Sequence, residues 1–151
     1  MRVLGIDYGA RRIGLALSDA TGTLASPWRL VERPASDAAT LSLLAGLIDT
    51  LKLDDDGLEL VVLGWPRRLD GSPTDQTAIV ERLAPALRSR TGLDIVLQDE
   101  RLSSHEAELR LGARERDWRV RKRKLDAAAA AVILQDFLDH RPARGQAADP
   151  V

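Results

Sequence analysis

The sequence predicts an α/β fold built on a mixed five-stranded sheet, and three observations support this. The chain of 151 residues is the size of one domain. Its first 32 residues carry strand patterns separated by short turn signals, and the remainder alternates helical and strand patterns. Strands joined by short turns pair antiparallel, whereas strands that alternate with helices pair in parallel. The element order is three strands, helix, strand, helix, strand and two closing helices, which is that of a ribonuclease-H-like domain.

Each predicted element has a local signal. The strands are expected at Val3–Asp7, Arg12–Ser18, Thr23–Glu32, Leu58–Trp65 and Leu93–Gln98, where apolar runs are bounded by turn residues. The helices are expected after Ser36, after Ser72 with Pro73 in the first turn, after Ser103 with Glu106 as a capping box, and over Lys124–Asp139. Residues 110–124 are expected to be a loop. Residues 1–140 then form one domain, and 141–151 a flexible tail.

Composition excludes several kinds of chemistry. With 44% hydrophobic and 30% charged residues, the chain is typical of a soluble globular protein. It has no apolar run near the ~18 residues of a membrane span, and no cysteine, which fits the cytoplasm. Only His105 and His140 are present, so histidine triads and imidazole-rich metal sites are disfavoured. Any catalysis must use carboxylates, hydroxyls or a hard metal ion.

The net charge of −1 conceals an uneven distribution. Residues 110–124 contain eight basic side chains against two acidic ones. Such a block either contacts a polyanion such as nucleic acid or is simply a solvated charged loop. Charge alone does not decide between the two.

Three acidic residues stand at positions that a solvated face does not explain. Asp7 and Glu100 each close an apolar strand pattern, and Asp126 opens an alanine-rich helix. If the first and last strands are parallel neighbours, their carboxyl ends emerge at one sheet edge, where open α/β sheets bind ligands. Clustered carboxylates repel one another unless a cation neutralises them, and Mg²⁺ or Mn²⁺ prefers oxygen ligands. The alternative is that these acids only terminate strands and favour a helix N-terminus.

Four segments resemble one known family. They are Gly5-Ile6-Asp7-Tyr8-Gly9-Ala10-Arg11-Arg12-Ile13-Gly14-Leu15-Ala16; Gly64-Trp65-Pro66 with Asp70-Gly71-Ser72; Asp99-Glu100-Arg101-Leu102-Ser103-Ser104; and Lys124 with Asp126 and the alanines after it. In this order and spacing they resemble the YqgF family of pre-16S rRNA nucleases, also called Holliday-junction-resolvase-like proteins. The resemblance implies a ribonuclease-H-like fold and a metal site of one or two Mg²⁺ or Mn²⁺ ions on Asp7, Glu100 and Asp126. It also implies a bacterial cytoplasmic protein that acts in 5′-end maturation of 16S rRNA, with ribosomal assembly intermediates as partners.

Several basic residues are candidates for substrate contact. Arg11 and Arg12 follow Asp7 and either hold phosphate or are exposed turn residues. Arg101, beside Glu100, either orients that carboxylate or forms a surface ion pair. The basic block adds five more candidates for nucleic-acid binding: Arg119, Arg121, Lys122, Arg123 and Lys124.

Four functions compete. The first is a metal-dependent nuclease on precursor rRNA, and the second is a Holliday junction resolvase on branched DNA. The third is a non-catalytic RNA-binding ribosome-assembly factor with the same fold. The fourth is a nucleotide-binding fold of the actin and sugar-kinase type, which 151 residues are too few to complete, since those proteins need two such domains. The sequence leaves the oligomeric state open between monomer and homodimer.

Overall fold

The described part of the chain is a five-stranded sheet with helices on both faces. The computed structural model describes residues 1–99 and 118–141, with side chains for 1–99 and 128–141. The strands within these ranges are β1 (Arg2–Tyr8), β2 (Arg12–Ser18), β3 (Ala25–Glu32), β4 (Leu58–Trp65) and β5 (Ile95–Asp99). The helices are α1 (Asp37–Leu53), α2 (Asp75–Thr91) and α3 (Trp118–His140).

The strand order confirms the predicted mixed sheet. It is β3-β2-β1-β4-β5, with antiparallel pairing of β1 to β2 and β2 to β3, and parallel pairing of β1 to β4 and β4 to β5. The assumption that the first and last strands are neighbours is wrong, because β4 lies between them. The three parallel strands nevertheless end at one edge of the sheet, which we call the carboxyl edge.

Alternation along β1 divides the core between the two faces of the sheet. Leu4, Ile6 and Tyr8 lie on one face with the buried residues of α1 and α2. Val3 lies on the other face with Ile133 of α3 and other apolar residues. Both faces of the central strands are therefore covered, as expected for a parallel sheet.

The start of α2 differs from the prediction. The N-cap is Thr74 rather than Ser72, so Pro73 precedes the cap instead of occupying the first turn. The Thr74 hydroxyl accepts the Gln76 N–H, and the Thr77 hydroxyl accepts the Thr74 N–H. Ser72 instead donates its N–H and its hydroxyl to the Asp70 carboxylate, so it stabilises the loop before the helix rather than capping the helix.

The start of α3 also differs. The helix begins at Trp118 rather than near Lys124, so the predicted loop is wrong for residues 118–123. Arginine, lysine and leucine have high helix propensity, and neither glycine nor proline interrupts the sequence from 118 to 140. The remainder of the predicted loop and the capping box at Ser103 lie outside the described residues.

Candidate active site at the carboxyl edge

Asp7 lies at the carboxyl edge, on the second-last residue of β1. Ile6 pairs with Leu63 of β4, and Leu63 pairs with Leu97 of β5. The next residue on each of these parallel strands is Asp7, Gly64 and Gln98 respectively, so these three residues are level with one another. Asp7 is half-buried. The central strand of the described sheet therefore presents its acid where the parallel strands end.

The path of α3 places helix position 126 at the same edge. Gln135 bonds the backbone of Ala25 and Thr23, and Arg141 pairs with Glu59 at 3.6 Å; these partners lie at the opposite edge of the sheet. The helix therefore runs antiparallel to β1, from the carboxyl edge to that opposite edge. Residue 126, near its start, belongs to the end of the helix that lies at the carboxyl edge.

Gly5 determines how closely α3 approaches β1. A Cβ atom at Gly5 would lie 2.8 Å from Leu134 Cβ and 3.2 Å from the Ala130 carbonyl oxygen. Asp7 lies two residues further along the strand, about 6.6 Å. Position 126 lies four residues back along the helix, about 6 Å, and on the same helix face as Ala130. The backbone thus brings Asp7 and position 126 to the same level.

The turn that follows Asp7 requires glycine. The Gly9 N–H donates to the Arg12 carbonyl oxygen at 3.0 Å, and a Cβ at Gly9 would lie 2.5 Å from that oxygen. The tight turn places Arg11, which is exposed, and Arg12, which is half-buried, at the carboxyl edge beside Asp7. Both arginines are therefore near the predicted acid, as the sequence spacing requires.

Arg33 braces this turn, a role that was not predicted from the sequence. Its guanidinium donates to Gln76 Oε1 at 2.9 Å and to the carbonyl oxygens of Gly9 and Ala10 at 3.4 Å. It also stacks over the Tyr8 ring, 4.5 Å from the ring centre. A signal was available, because Arg33 directly follows β3, which ends at the carboxyl edge. Nothing local shows that its partners are on β1 and α2.

Comparison with known proteins identifies the family. A family model described as Holliday junction resolvase, RuvX, matches residues 1–140. The chain belongs to the RuvX family. This membership confirms the YqgF resemblance found in the sequence.

Relatives of similar length carry a nuclease name. A protein of Maridesulfovibrio salexigens is 41% identical over 138 residues, covering 91% of this RuvX chain and 98% of its own. One of Geobacillus kaustophilus is 37% identical over 145 residues, with coverage of 93% and 99%. Both are named "Putative pre-16S rRNA nuclease". The RuvX chain is thus a member of a nuclease family.

The fold is also found in a protein of known structure, RuvC. Thermus thermophilus RuvC superposes with a TM-score of 0.54 and 15% identity, covering 92% of the RuvX chain and 96% of RuvC. A second structure of that protein, in complex with a Holliday junction substrate, gives 0.53 over 92% and 95%. At this identity the similarity shows the ribonuclease-H-like fold alone.

The β4–α2 loop, residues 66–74, adjoins the site and is internally bonded. Arg67 donates from Nε to the Gly71 carbonyl oxygen at 2.9 Å, and its guanidinium stacks 4.4 Å from the centre of the Trp65 ring. Asp70 accepts the Ser72 hydroxyl and N–H at 2.6 and 2.8 Å, and these bonds lower the pKa of its carboxyl. The Trp65 and Arg67 found in this RuvX chain therefore hold the loop together.

Several predicted site residues of the RuvX chain lie where their side chains are not described. Glu100 and Arg101 follow β5 and are outside the described residues. The helix α3 contains Asp126 and the five basic candidates, and the structure describes only the backbone of these residues. The five candidates are Arg119, Arg121, Lys122, Arg123 and Lys124. Among the described residues no three His, Cys, Asp or Glu side chains form a metal-binding group. The predicted triad of Asp7, Glu100 and Asp126 is not among these groups, because the side chains of Glu100 and Asp126 lie outside the described residues.

No helix in the described ranges of the RuvX chain is both long and apolar enough to cross a membrane.

Proposed function

We propose that the chain is a divalent-metal-dependent nuclease that hydrolyses phosphodiester bonds in the 5′-end maturation of 16S rRNA precursor. The observation that carries the proposal is the close approach of α3 to β1 at Gly5, from which standard strand and helix geometry puts helix position 126 level with Asp7 at the carboxyl edge, where Arg11 and Arg12 also lie. Glu100 directly follows β5 in the sequence, two residues after Gln98. Gln98 donates to Asp136 of α3, so the end of β5 lies against the helix that carries position 126.

The chemistry of this edge fits a hard metal ion. Asp7, Glu100 and Asp126 would hold one or two Mg²⁺ or Mn²⁺ ions, since carboxylate oxygens are the ligands that these ions prefer. The close approach at Gly5 supports this, because it brings position 126 to the level of Asp7. When bound, the metal supplies Lewis-acid activation of water and of the phosphate.

The chain's own residues have distinct roles in this proposal. Arg11 and Arg12 hold the phosphate oxygens on either side of the scissile bond by charge-assisted hydrogen bonds. Arg33 orients Arg11 and Arg12 indirectly, because it holds the turn from which these two side chains project. Arg101 and the basic residues 119–124 extend the contact with the nucleic-acid backbone. The protein would then act in the cytoplasm, on ribosomal assembly intermediates.

A second substrate has its own support. The family description is Holliday junction resolvase, so the same site is a candidate for branched DNA. The name that the two curated relatives share refers to rRNA and therefore favours RNA over branched DNA as the substrate. Both substrates are polyanions recognised by backbone and shape, so a direct comparison of cleavage is needed.

The decisive experiment compares Asp7→Asn with wild type. Purified protein is supplied with Mg²⁺ or Mn²⁺ and tested on precursor-like 16S rRNA, single-stranded RNA and four-way DNA junctions. We expect metal-dependent cleavage that Asp7→Asn reduces by at least about 10³-fold, since removing one of a group of residues that act together removes most of the catalysis. Urea unfolding checks that the variant folds.

Asp94→Asn is the matched control. Asp94 lies at the opposite edge, where it is 75% exposed and pairs with Arg88 at 3.6 Å. We expect this variant to cleave as wild type does. Undiminished cleavage by Asp7→Asn would overturn the site, and binding without cleavage by wild type would favour the assembly-factor hypothesis. Preferential cleavage of the junction would favour the resolvase.

A further inference from the structure

The tip of the β4–α2 loop exposes a large apolar side chain at the carboxyl edge. Leu69 is 68% exposed and is flanked by the exposed Arg68 and Asp70. Other strongly exposed large hydrophobic residues in the described ranges, Met1, Leu24 and Leu53, lie at the opposite edge. A single exposed leucine is ordinary on a protein surface. Its position at the carboxyl edge, where the strand that carries Asp7 also ends, calls for a separate explanation.

The loop begins next to Asp7. Gly64 is level with Asp7 on the neighbouring strand, one strand spacing or ~4.8 Å away, and β4 ends one residue later at Trp65. The nine residues 66–74 then connect β4 to α2, whereas connections in compact domains have a median of about 4–6 residues. The loop is thus longer than the connection needs, and its excess length extends from the carboxyl edge.

Hydrogen bonds close the loop on both sides of its tip. Arg68 and Ser72 are joined by a backbone hydrogen bond of 2.9 Å, and the Gly71 N–H returns to the Arg68 carbonyl oxygen at 2.8 Å. Gly71 has a φ of +89°, a conformation that glycine adopts without strain. The base of the loop is fixed by the Arg67 bonds described above and by the Thr77 hydroxyl, which donates to the Pro66 carbonyl oxygen. The backbone on both sides of Leu69 is therefore tied by hydrogen bonds.

The charges at the tip favour a polyanion. The loop carries Arg67 and Arg68 against Asp70, a net charge of +1, and Arg68 is exposed. An apolar side chain with a neighbouring cation is the combination by which proteins separate stacked bases, because the apolar group inserts between the bases and the cation holds the adjoining backbone.

We propose that Leu69 is a wedge that inserts into a base step of the nucleic acid beside the scissile phosphate, while Arg68 contacts the adjoining phosphate. The inference rests on the proposed nuclease function. It adds that the enzyme opens a paired or stacked step at the point of cleavage.

The test uses duplex RNA in which 2-aminopurine, whose emission rises on unstacking, occupies successive positions through the site. Binding is measured in the Asp7→Asn background, where cleavage is not expected. We expect emission at one step to rise about twofold or more, and Leu69→Ala to abolish the rise. Leu69→Met should restore it, because methionine is apolar and similar in size, whereas Leu69→Asn should not. Leu24→Ala is the matched control: Leu24 is 64% exposed in a turn at the opposite edge.

Cleavage by the enzyme with Asp7 intact provides a second readout. Leu69→Ala should reduce kcat/KM about tenfold on a paired site and within about twofold on an already unpaired one, since only the paired site needs opening. Equal emission with and without Leu69, no rise at any position, or equal loss on both substrates would overturn the wedge. A Leu69-dependent rise in emission without cleavage by wild type would instead overturn the nuclease proposal and leave the wedge supported.

Discussion

Replacing Gly5 with alanine tests how the approach of α3 to β1 positions the site. The added Cβ would lie 2.8 Å from Leu134 Cβ and 3.2 Å from the Ala130 carbonyl oxygen. The first distance is short of the ~3.5–4.0 Å carbon–carbon optimum by about 1 Å. Both partners are part of the helix itself rather than the end of a flexible side chain. The helix must therefore move away from the sheet.

The magnitude follows from two opposing effects. Overpacking of a well-packed core costs about 1–3 kcal/mol. Alanine also restricts the unfolded chain, which recovers about 0.4–1 kcal/mol. We expect the free energy of unfolding of Gly5→Ala to fall by about 1–2 kcal/mol. Because the same helix carries Asp126, the displacement should also reduce cleavage by at least about tenfold, since small misplacements of reacting groups are costly.

Gly46→Ala is the matched control for this substitution. Gly46 lies exposed within α1, and a Cβ there would have nothing within 4 Å. Glycine inside a helix is less favourable than alanine by about 0.5–1 kcal/mol, so this variant should be more stable than wild type by that amount. Urea unfolding and initial cleavage rates measure both variants. A Gly5→Ala protein as stable and active as wild type would refute the argument that contact with α3 requires glycine.

Two further predictions concern charge. The Asp19 carboxylate accepts hydrogen bonds from the Thr23 N–H, the Thr21 hydroxyl and the Leu24 N–H, and these bonds lower its pKa. The stability that they confer is fully present above the pKa of the unfolded state. It is lost as the pH falls toward the lower pKa of the folded state. Asp19→Asn should therefore be less stable than wild type at neutral pH and should lose less stability on acidification, measured by urea unfolding from about pH 7 to pH 3; an unchanged pH dependence would contradict this. Replacing the basic residues across 119–124 with glutamine should weaken nucleic-acid binding and reduce the slope of log K against log salt by about 0.7–0.9 for each phosphate that the variant no longer neutralises. A slope equal to that of wild type would show that this part of α3 does not touch phosphate.

Much of the fold could be predicted because local patterns report burial. Apolar runs bounded by turn residues located the five strands of the described sheet, and the glycines at 5 and 9 stood in the motif that carried the resemblance. Errors arose where neighbouring signals compete. Ser72 and Thr74 are both good capping residues, and only the loop's own hydrogen bonds show that Ser72 is used elsewhere. The early start of α3 was not predicted, because a dense run of charge is as typical of a solvated loop as of an exposed helix.

The candidate site was predicted less completely, for a physical reason. A carboxylate at the end of a strand can be found from the chain alone, and Asp7 was. The bracing role of Arg33 could not be found, because its partners Tyr8, Gly9 and Gln76 belong to elements that meet only after folding. The roles of Glu100 and Asp126 stay predictions.

The sequence by itself determined the fold class, the family and the position of the acid near the end of β1. These depend on local period and on motifs, which a linear chain records directly. Only the tertiary structure decided that β4 separates β1 from β5, that α3 runs back from the carboxyl edge, and that Gly5 allows its close approach. Strand order and helix direction are settled by which apolar faces pack together, and that choice is made between residues far apart in the chain.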